Sequence, residues 1–381
     1  MKVLMILSSM AMGGAERNIA SVVLHLARQP GLDFTLGTLN TRRDSPLADL
    51  IAKSGVRRFD MGAKRMVDPA AWKRFTAFLR EERIDLIHSQ DQDTHVYSGL
   101  AHYRLGMPVV MTRHVMFEPA DSFKTQLRAR MVLLAARLSA DRVIAVSEAV
   151  RRKFAEQTGL PLTKIETIYN GIELEKFNTR GKRAAKRAEL GWEADRPIAV
   201  MVAVLRPGKG HEVLFEAVPA LKAAVPGVQI KLVGDGELRP SLEQMAAPHA
   251  DVVEFMGQRM DVPELLGAAD ALILPSWSEA LPTVLIEAGA AGLPCVATDV
   301  GGTAEIVIDG ETGYVIPTGN PAVLAEKLAV LLSDKAKAAA MGAAAYQRVT
   351  SIFTLEQQAA RTADLYARVL AEKRSAPRKA N

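Results

Sequence analysis

Two doubly wound α/β domains with parallel sheets are what this sequence predicts, and three observations carry the prediction. The chain has 381 residues, too many for one average domain and comfortable for two. Short apolar runs alternate with stretches of helical spacing along its whole length, the pattern of successive βαβ units. The alternation restarts after Gly191, beyond a stretch at 176–187 that is polar, basic and poor in strand formers. In the first series, 3–7, 34–39, 86–88, 109–112, 143–146 and 165–168 read as buried strands, with helices such as 16–28 and 70–82 between them. In the second series the strands are 198–204, 229–233, 252–255, 271–274, 294–298 and 314–316. The domains are expected to span 1–175 and 190–354, with the seam inside 171–195. A last helix of about 355–372 follows, and the basic, proline-containing tail 373–381 is expected to be disordered. Ligands of such folds bind outside the C-terminal ends of the strands.

Composition narrows the class. Hydrophobic residues at 49% with 24% charged residues describe an ordinary soluble globular chain able to bury two cores. The one cysteine, Cys295, excludes a disulfide within the chain and a cysteine-based zinc cluster, and it reads as a small buried hydrophobe. No apolar run reaches the roughly 18–20 residues of a membrane span. Residues 1–12 imitate a signal peptide, but Gly13-Gly14-Ala15-Glu16-Arg17 follows directly and fits a strand, glycine loop and helix better. Cleavage there would remove the first strand, so a cytoplasmic protein is expected. The net charge of +5 hides an asymmetry: residues 1–190 carry 31 Lys and Arg against 20 Asp and Glu, the remainder 17 against 23. The basic half suits an anionic partner such as phosphate or lipid headgroups. No zinc finger or basic–aromatic interleaving points to nucleic acid, and aromatics are only 5%.

The chemistry concentrates in 276–306. Glu279 and Glu287 stand eight residues apart, with Ala280, Leu281, Pro282 and Thr283 between them reading as a loop that turns into a helix. A helix start offers unpaired N–H groups and positive dipole to a phosphate. If helix covers most of the interval, the carboxylates share one face, at most roughly 12 Å apart at 1.5 Å per residue. That spacing matches a ligand with hydroxyls at both ends and phosphates in the middle, a nucleotide sugar. The stretch continues through Gly292-Leu293-Pro294, an apolar strand and Gly301-Gly302 to Glu305.

This combination resembles the donor-site signature of retaining glycosyltransferases of the GT-B fold, specifically family 4, and the resemblance spans nearly the whole chain. It implies that Glu279 contacts the transferred sugar and Glu287 the nucleotide ribose. It places Leu281, Pro282 and Thr283 along the donor and sets the nucleobase against backbone around Gly257. Lys209 matches the diphosphate-binding lysine of the family. The arginine usual five residues earlier is replaced by Val204, which leaves Arg206 as its stand-in or as a surface residue. Gly13 and Gly14 resemble the family's N-terminal loop, where glycine lets backbone approach a diphosphate. Their pattern is not the G-x-G-x-x-G of a dinucleotide fold. His114, at the tip of the strand 109–112, resembles the cleft histidine that contacts the donor sugar. His88 reads as structural, Ser147 as a helix cap or family position, and Asn170-Gly171 as a turn or family position. Asp91 and Asp93 offer a superficial metal pair but read as cleft-edge or acceptor-side carboxylates.

The expected activity is transfer of a sugar from a nucleotide diphosphate, UDP ahead of GDP, to a hydroxyl of a glycan or lipid-linked acceptor with retention. The setting implied is cell-envelope polysaccharide or lipopolysaccharide synthesis, with no metal and no other cofactor. In the family the C-terminal domain binds donor, the N-terminal domain binds acceptor, and the last helix packs back on the N-terminal domain. Alternatives on the same fold are a nucleotide-sugar epimerase and a catalytically dead binding protein. The basic N-terminal half further suggests peripheral attachment to an anionic membrane through helices 72–83 and 121–142. There Trp72, Phe75, Phe78, Leu127, Met131 and Leu134 stand among Lys73, Arg74, Arg80, Lys124, Arg128 and Arg130. The ordinary reading of such helices is that their apolar faces meet their own core.

Overall fold

The computed structural model describes residues 1–9, 14–40, 46–64, 68–116, 123–179 and 181–375. They form two compact units, one of residues 1–171 and 355–381, the other of 172–354. The first holds a seven-stranded sheet of β1 (Lys2–Leu7), β2 (Asp33–Thr38), β3 (Arg57–Asp60), β4 (Leu86–Ser89), β5 (Val109–Arg113), β6 (Arg142–Ala145) and β7 (Ile165–Thr167). Its order is β3-β2-β1-β4-β5-β6-β7, all parallel. The second holds β8 (Ile198–Val202), β9 (Gln229–Val233), β10 (Val253–Gly257), β11 (Ala271–Leu274), β12 (Cys295–Thr298) and β13 (Gly313–Ile316), in the order β10-β9-β8-β11-β12-β13.

The apolar runs become strands because both faces are covered, so their side chains are buried almost without alternation, as in β4, β5, β11 and β12. β3 escapes the sequence reading for the opposite reason. Its residues, Arg57-Arg58-Phe59-Asp60, form an exposed edge strand with one aromatic anchor, Phe59, stacked 4.0 Å from Phe78. Cys295 is buried in β12, and burial pushes its thiol up to about 12, so it stays protonated.

The stretch expected to be a polar seam is a docked part of the second unit. Its helix Arg183–Glu189 buries Arg187 to 2% exposure, against the Asp270 carboxylate at 2.7 Å and the carbonyls of Ala268, Glu193, Ala194 and Arg196. Asp270 also accepts the Ile198 N–H at 2.9 Å, so one ion pair fixes both this helix and the start of β8. In the first unit the last helix, Leu355–Ser375, buries Leu365, Tyr366 and Val369 in the core that also holds Val3, Met5 and Val23.

Of the two helices that carry apolar and basic residues together, the first follows the ordinary reading. Pro69–Glu81 buries Phe75 and packs Phe78 on Phe59. The second does not. Phe123–Ser139 turns Val132, Ala136 and Ser139 inward but leaves Leu127, Met131, Leu134 and Leu138 about half exposed. The side chains of Lys124 and Arg128 lie outside the described residues.

At the C-terminal edge of the second sheet the loops are packed backbone on backbone, which requires glycine at two positions. A Cβ on Gly210 (φ +74°) would stand 1.9 Å from the Pro275 carbonyl oxygen, and one on Gly301 (φ +52°) 1.7 Å from that of Glu279. Gly310 has a similar φ of +75° with nothing within 4 Å. Gly310→Ala should therefore cost only the left-handed backbone term, about 1–2 kcal/mol. Gly301→Ala should cost clearly more, because the neighbouring backbone must also move. Urea unfolding of the two variants measures this, and equal midpoints would show that the loop packing contributes nothing.

Candidate functional site

In each unit the strand order reverses direction at one point, where the loops leaving two neighbouring strands part to opposite faces and open a crevice. In the second unit that point lies between β8 and β11. The loop after β8 carries Lys209 and ends at Gly210, which precedes the helix His211–Ala224. The loop after β11 carries Glu279. Lys209 Nζ and Glu279 Oε1 meet at 2.7 Å, with side chains only 15% and 12% exposed. The crevice is thus lined by an ion pair more shielded than a surface pair and correspondingly stronger.

Both members are held from behind. The Trp277 N–H donates to the Gly208 carbonyl at 2.9 Å, and its indole N–H to Glu212 at 2.6 Å, which ties the two loops together. The Gly302 N–H donates to the Ala280 carbonyl at 3.0 Å, and Thr298 Oγ1 to the Ser276 carbonyl at 2.5 Å. Leu281 and Pro282 are buried beneath the loop.

The helix after this loop is Thr283–Ala290. It starts four residues after Glu279, so the two carboxylates do not share a helix face as the spacing alone suggested. Glu287 lies one turn inside the helix, whereas Glu279 is on the loop before it. The reason is Pro282, whose extended backbone (ψ 98°) precedes the first helical residue. Thr283 stands at that first position, where backbone N–H groups lack intrahelical acceptors.

Gly257 ends β10 at φ +68°, and its carbonyl accepts the Gly234 N–H at 2.9 Å. Arg239, paired with Asp235 and Glu243, sits beside it. Arg206 is exposed on the same loop as Lys209, two residues after the equally exposed Val204.

In the first unit the reversal lies between β1 and β4. Gly14 is the first residue of the helix Gly14–Leu26, and Gly13 lies outside the described residues. Asp91 caps the helix Gln92–Leu105 in a capping box with Thr94, and it also accepts Ser8 Oγ at 2.6 Å. That carboxylate is therefore engaged in joining the loops after β1 and β4, and Asp93 lies in the first turn behind it. Among the described residues no three His, Cys, Asp or Glu side chains converge as a metal site.

His114 follows β5, and its Nε2 lies 2.8 Å from Gln90 Oε1. Burial and the neighbouring Arg113 push its pKa down to about 4. His88 is held between Tyr366 Oη at 2.6 Å and Thr112 Oγ1 at 2.7 Å, and burial pushes it to about 3. His95, on Ser89 Oγ at 2.8 Å, is likewise pushed to about 3. All three are neutral at pH 7 and serve as hydrogen-bonding groups rather than cations. Together with Ser8, Asp91, Asp93 and Arg113, His95 and His114 line a cavity of about 250 Å³. Ser147 caps the helix Glu148–Thr158 through its Oγ. Asn170 and Gly171 are tied to Gln358.

The structure thus brings Lys209, Glu279 and the Thr283 helix start to one edge of the second unit and places His114 and Gly14 in the first. Sequence reasoning passed over Gln90, Trp277 and Glu212. For Gln90 the one available signal was its place directly after a strand that ends in His88-Ser89.

Two family profiles match the chain: "Glycosyltransferase Family 4" over residues 12–176 and "Glycosyl transferases group 1" over 182–348. The D-inositol 3-phosphate glycosyltransferase of Streptomyces avermitilis is 33% identical over 307 residues, 74% of this chain and 65% of that protein. The enzyme of the same name from Streptomyces scabiei is 32% identical over 312 residues, 75% of this chain and 68% of the relative. Among solved structures, Anabaena HepE in complex with UDP-glucose superposes with a TM-score of 0.84 at 25% identity, covering 97% of this chain and all of that one. With two parallel-sheet Rossmann-like units and both profiles matched in order, the chain belongs to glycosyltransferase family 4, the group 1 glycosyl transferases of the GT-B fold.

Proposed function

We propose that this protein is a retaining, metal-independent glycosyltransferase that moves a sugar from a nucleotide diphosphate, UDP ahead of GDP, to a hydroxyl of a glycan or lipid-linked acceptor. The setting is cell-envelope polysaccharide or lipopolysaccharide synthesis. The observation that carries the reading is the Lys209–Glu279 pair at the reversal point of the second sheet, one short loop before a helix start. A lysine ammonium and free N–H groups are what a diphosphate leaving group needs, and they can neutralise it without a divalent ion. UDP-glucose bound to the HepE relative supports a UDP donor.

Donor binding falls to the second unit and acceptor binding to the first. In front-face displacement the acceptor oxygen bonds to the anomeric carbon on the side from which the phosphate departs. Its proton passes to the departing phosphate oxygen. Within the second unit, Lys209 and the helix start at Thr283 stabilise the developing phosphate charge, Glu279 holds sugar hydroxyls, and Glu287 holds the ribose; in the first unit, the family resemblance assigns the Gly14 backbone to the diphosphate and His114 to the donor sugar. Arg206 and backbone at Gly257 flank the nucleotide. Acceleration comes from positioning and preorganised electrostatics.

The acceptor's class is tied to peripheral attachment on the inner face of the plasma membrane. No helix among the described residues is long and apolar enough to cross a membrane. However, Leu127, Met131, Leu134 and Leu138 fall within an arc of about 60° at 100° per residue, an apolar stripe that faces outward. Arg130 and Arg137 are exposed on the same helix, and Leu100 and Tyr103 are exposed on the neighbouring helix Gln92–Leu105. An apolar stripe flanked by arginines suits the interface of an anionic bilayer.

Glu279→Ala should abolish turnover while binding of free UDP survives. Glu287→Ala should weaken UDP itself by about 1.5–3 kcal/mol, the range of a hydrogen bond to a charged group. Calorimetry with UDP separates them, and equal losses of affinity would sink the role assignment. Activity in excess EDTA should stay within about threefold of that with magnesium, since Lys209 and a helix end take the metal's place; complete loss restored by manganese would bring Asp91 and Asp93 into the chemistry. In liposome co-sedimentation, binding should need anionic lipid and fall at high salt. Replacing Arg130 and Arg137 by Ser should remove about 1 kcal/mol each, and Met131→Ser with Leu134→Ser should release the protein. Equal recovery on neutral and anionic vesicles would leave the stripe without a membrane role.

A further inference from the structure

Between β10 and the helix Val262–Ala268 the second unit has a loop of four residues, Gln258, Arg259, Met260 and Asp261. It leaves the C-terminal end of a parallel strand, where ligands of this fold class bind. The backbone N–H groups of Gln258, Arg259 and Met260 donate to no protein group among the described residues. Two side chains of the loop offer a ligand little polarity. Met260 is apolar and 74% exposed, and Arg259 is folded back on Asp261, Nε to Oδ1 at 2.8 Å and Nη2 to Oδ2 at 2.7 Å. A ligand at this loop therefore meets backbone, and backbone discriminates only when it is held in place beforehand.

Asp261 is where the loop is held. It stands at the N-cap of the helix Val262–Ala268, where an aspartate ordinarily accepts from the first turn, yet its side chain makes no capping bond. Its carboxylate goes to Arg259 and to Lys186 Nζ, the latter at 2.7 Å. Arg259 and then Lys186 hold its pKa well below the usual carboxylate range, so it is ionised at any working pH. Lys186 lies on the helix Arg183–Glu189 with its side chain only 10% exposed, and its other partner, Glu189, points to solvent. The same helix grips the far end of Val262–Ala268, where Arg183 Nη1 and Arg187 Nε donate to the Ala268 carbonyl at 3.0 and 2.8 Å. Those grips, with Val262, Leu265 and Leu266 buried, already dock the short helix. What the Lys186–Asp261 pair adds is a fixed end for the loop.

We infer that Lys186, Asp261 and Arg259 are positioning residues that hold the backbone of 258–260 for the base of the donor nucleotide. Selection among nucleobases then depends on an ionic anchor at the end of the loop rather than on side chains set beside the base. That the ligand is a nucleobase rests on the nucleotide diphosphate reading. The chemistry agrees with it, because a base edge presents carbonyl and ring-nitrogen acceptors to free N–H groups.

Calorimetry on the full chain with UDP, GDP and inorganic pyrophosphate tests the inference. Pyrophosphate reports the Lys209 end of the site and the integrity of the unit, whereas the nucleotides report the loop as well. The wild type should prefer one nucleotide and bind it more tightly than pyrophosphate. Lys186→Met should weaken that nucleotide roughly tenfold, the scale of one or two hydrogen bonds, with pyrophosphate affinity within about twofold of wild type. The difference between UDP and GDP should narrow at the same time. Lys186→Arg, which keeps a donor to Asp261, should restore most of the loss. Arg259→Gln opens the clasp from the loop side and leaves the pair between the helices intact, so it should show the same selective loss even where Lys186→Met folds poorly. In transfer assays KM for the donor should rise while kcat stays within about twofold, the sign of lost uniform binding. Equal losses for nucleotide and pyrophosphate, or a nucleotide affinity unchanged in both Lys186→Met and Arg259→Gln, overturn the positioning role alone. A wild type that binds neither nucleotide more tightly than pyrophosphate overturns the nucleotide reading together with this inference, so the two failures are distinguishable.

Discussion

The ion pair between Lys209 and Glu279 is the contact on which the arrangement of the second unit's edge depends. Each residue lies on a loop whose strand sends its chain to the opposite face of the sheet, and the Trp277–Gly208 hydrogen bond joins the same two loops from behind. Each is also too enclosed to be left alone. Removing one partner leaves a largely desolvated charge, which costs more than the pair contributes when intact. Glu279 cannot retreat, because the Gly301 backbone lies against its carbonyl. Lys209 cannot either, because the Gly208 carbonyl is fixed by the Trp277 N–H. The pair thus keeps both groups in place before a ligand arrives, which is the condition for electrostatic stabilisation without reorganisation.

The two units solve the same geometric problem with different groups. At the reversal point of the second sheet the facing groups are charged. At that of the first, a capped aspartate, Asp93 and Arg113 stand beside three histidines that burial keeps neutral. Charged groups select a phosphate, whereas neutral donors and acceptors in a low-dielectric wall select hydroxyls, because an unmatched hydroxyl partner there is costly.

Most of the fold was legible because buried parallel strands declare themselves as apolar runs. What escaped did so for identifiable reasons. β3 is an edge strand with two arginines and an aspartate, so it carries neither an apolar run nor alternation. Arg187 reads as part of a polar seam because sequence shows its charge and not the Asp270 carboxylate 83 positions away that makes its burial tolerable. Helix Phe123–Ser139 reads correctly as amphipathic, but an apolar stripe states only that something covers it. In Pro69–Glu81 the cover is the core; on Leu127, Met131, Leu134 and Leu138 it is not. At the site, Glu279, Glu287 and Lys209 stood out through charge and context. The break of the helix before Thr283 was visible in Pro282 yet weighed less than the eight-residue spacing. Gln90 bears no charge and makes no motif, and only its distance to His114 distinguishes it.

The last helix shows how far apart in sequence the parts of one wall can lie. Tyr366 is fully buried, and its hydroxyl meets His88 across 278 residues. His88 in turn bears on Thr112 and on the amide of Gln90, and Gln90 on His114. On the same helix, Gln358 accepts the Gly171 N–H at 2.7 Å and exchanges hydrogen bonds with Asn18, one turn into the helix that begins at Gly14. Asn18 can be buried there because Gln358, itself half-buried, and the Gly171 carbonyl supply its partners. The chain after residue 354 is therefore part of the wall that orients His114, not a closing ornament. Without Tyr366, His88 would lose the partner that keeps its ring edge-on.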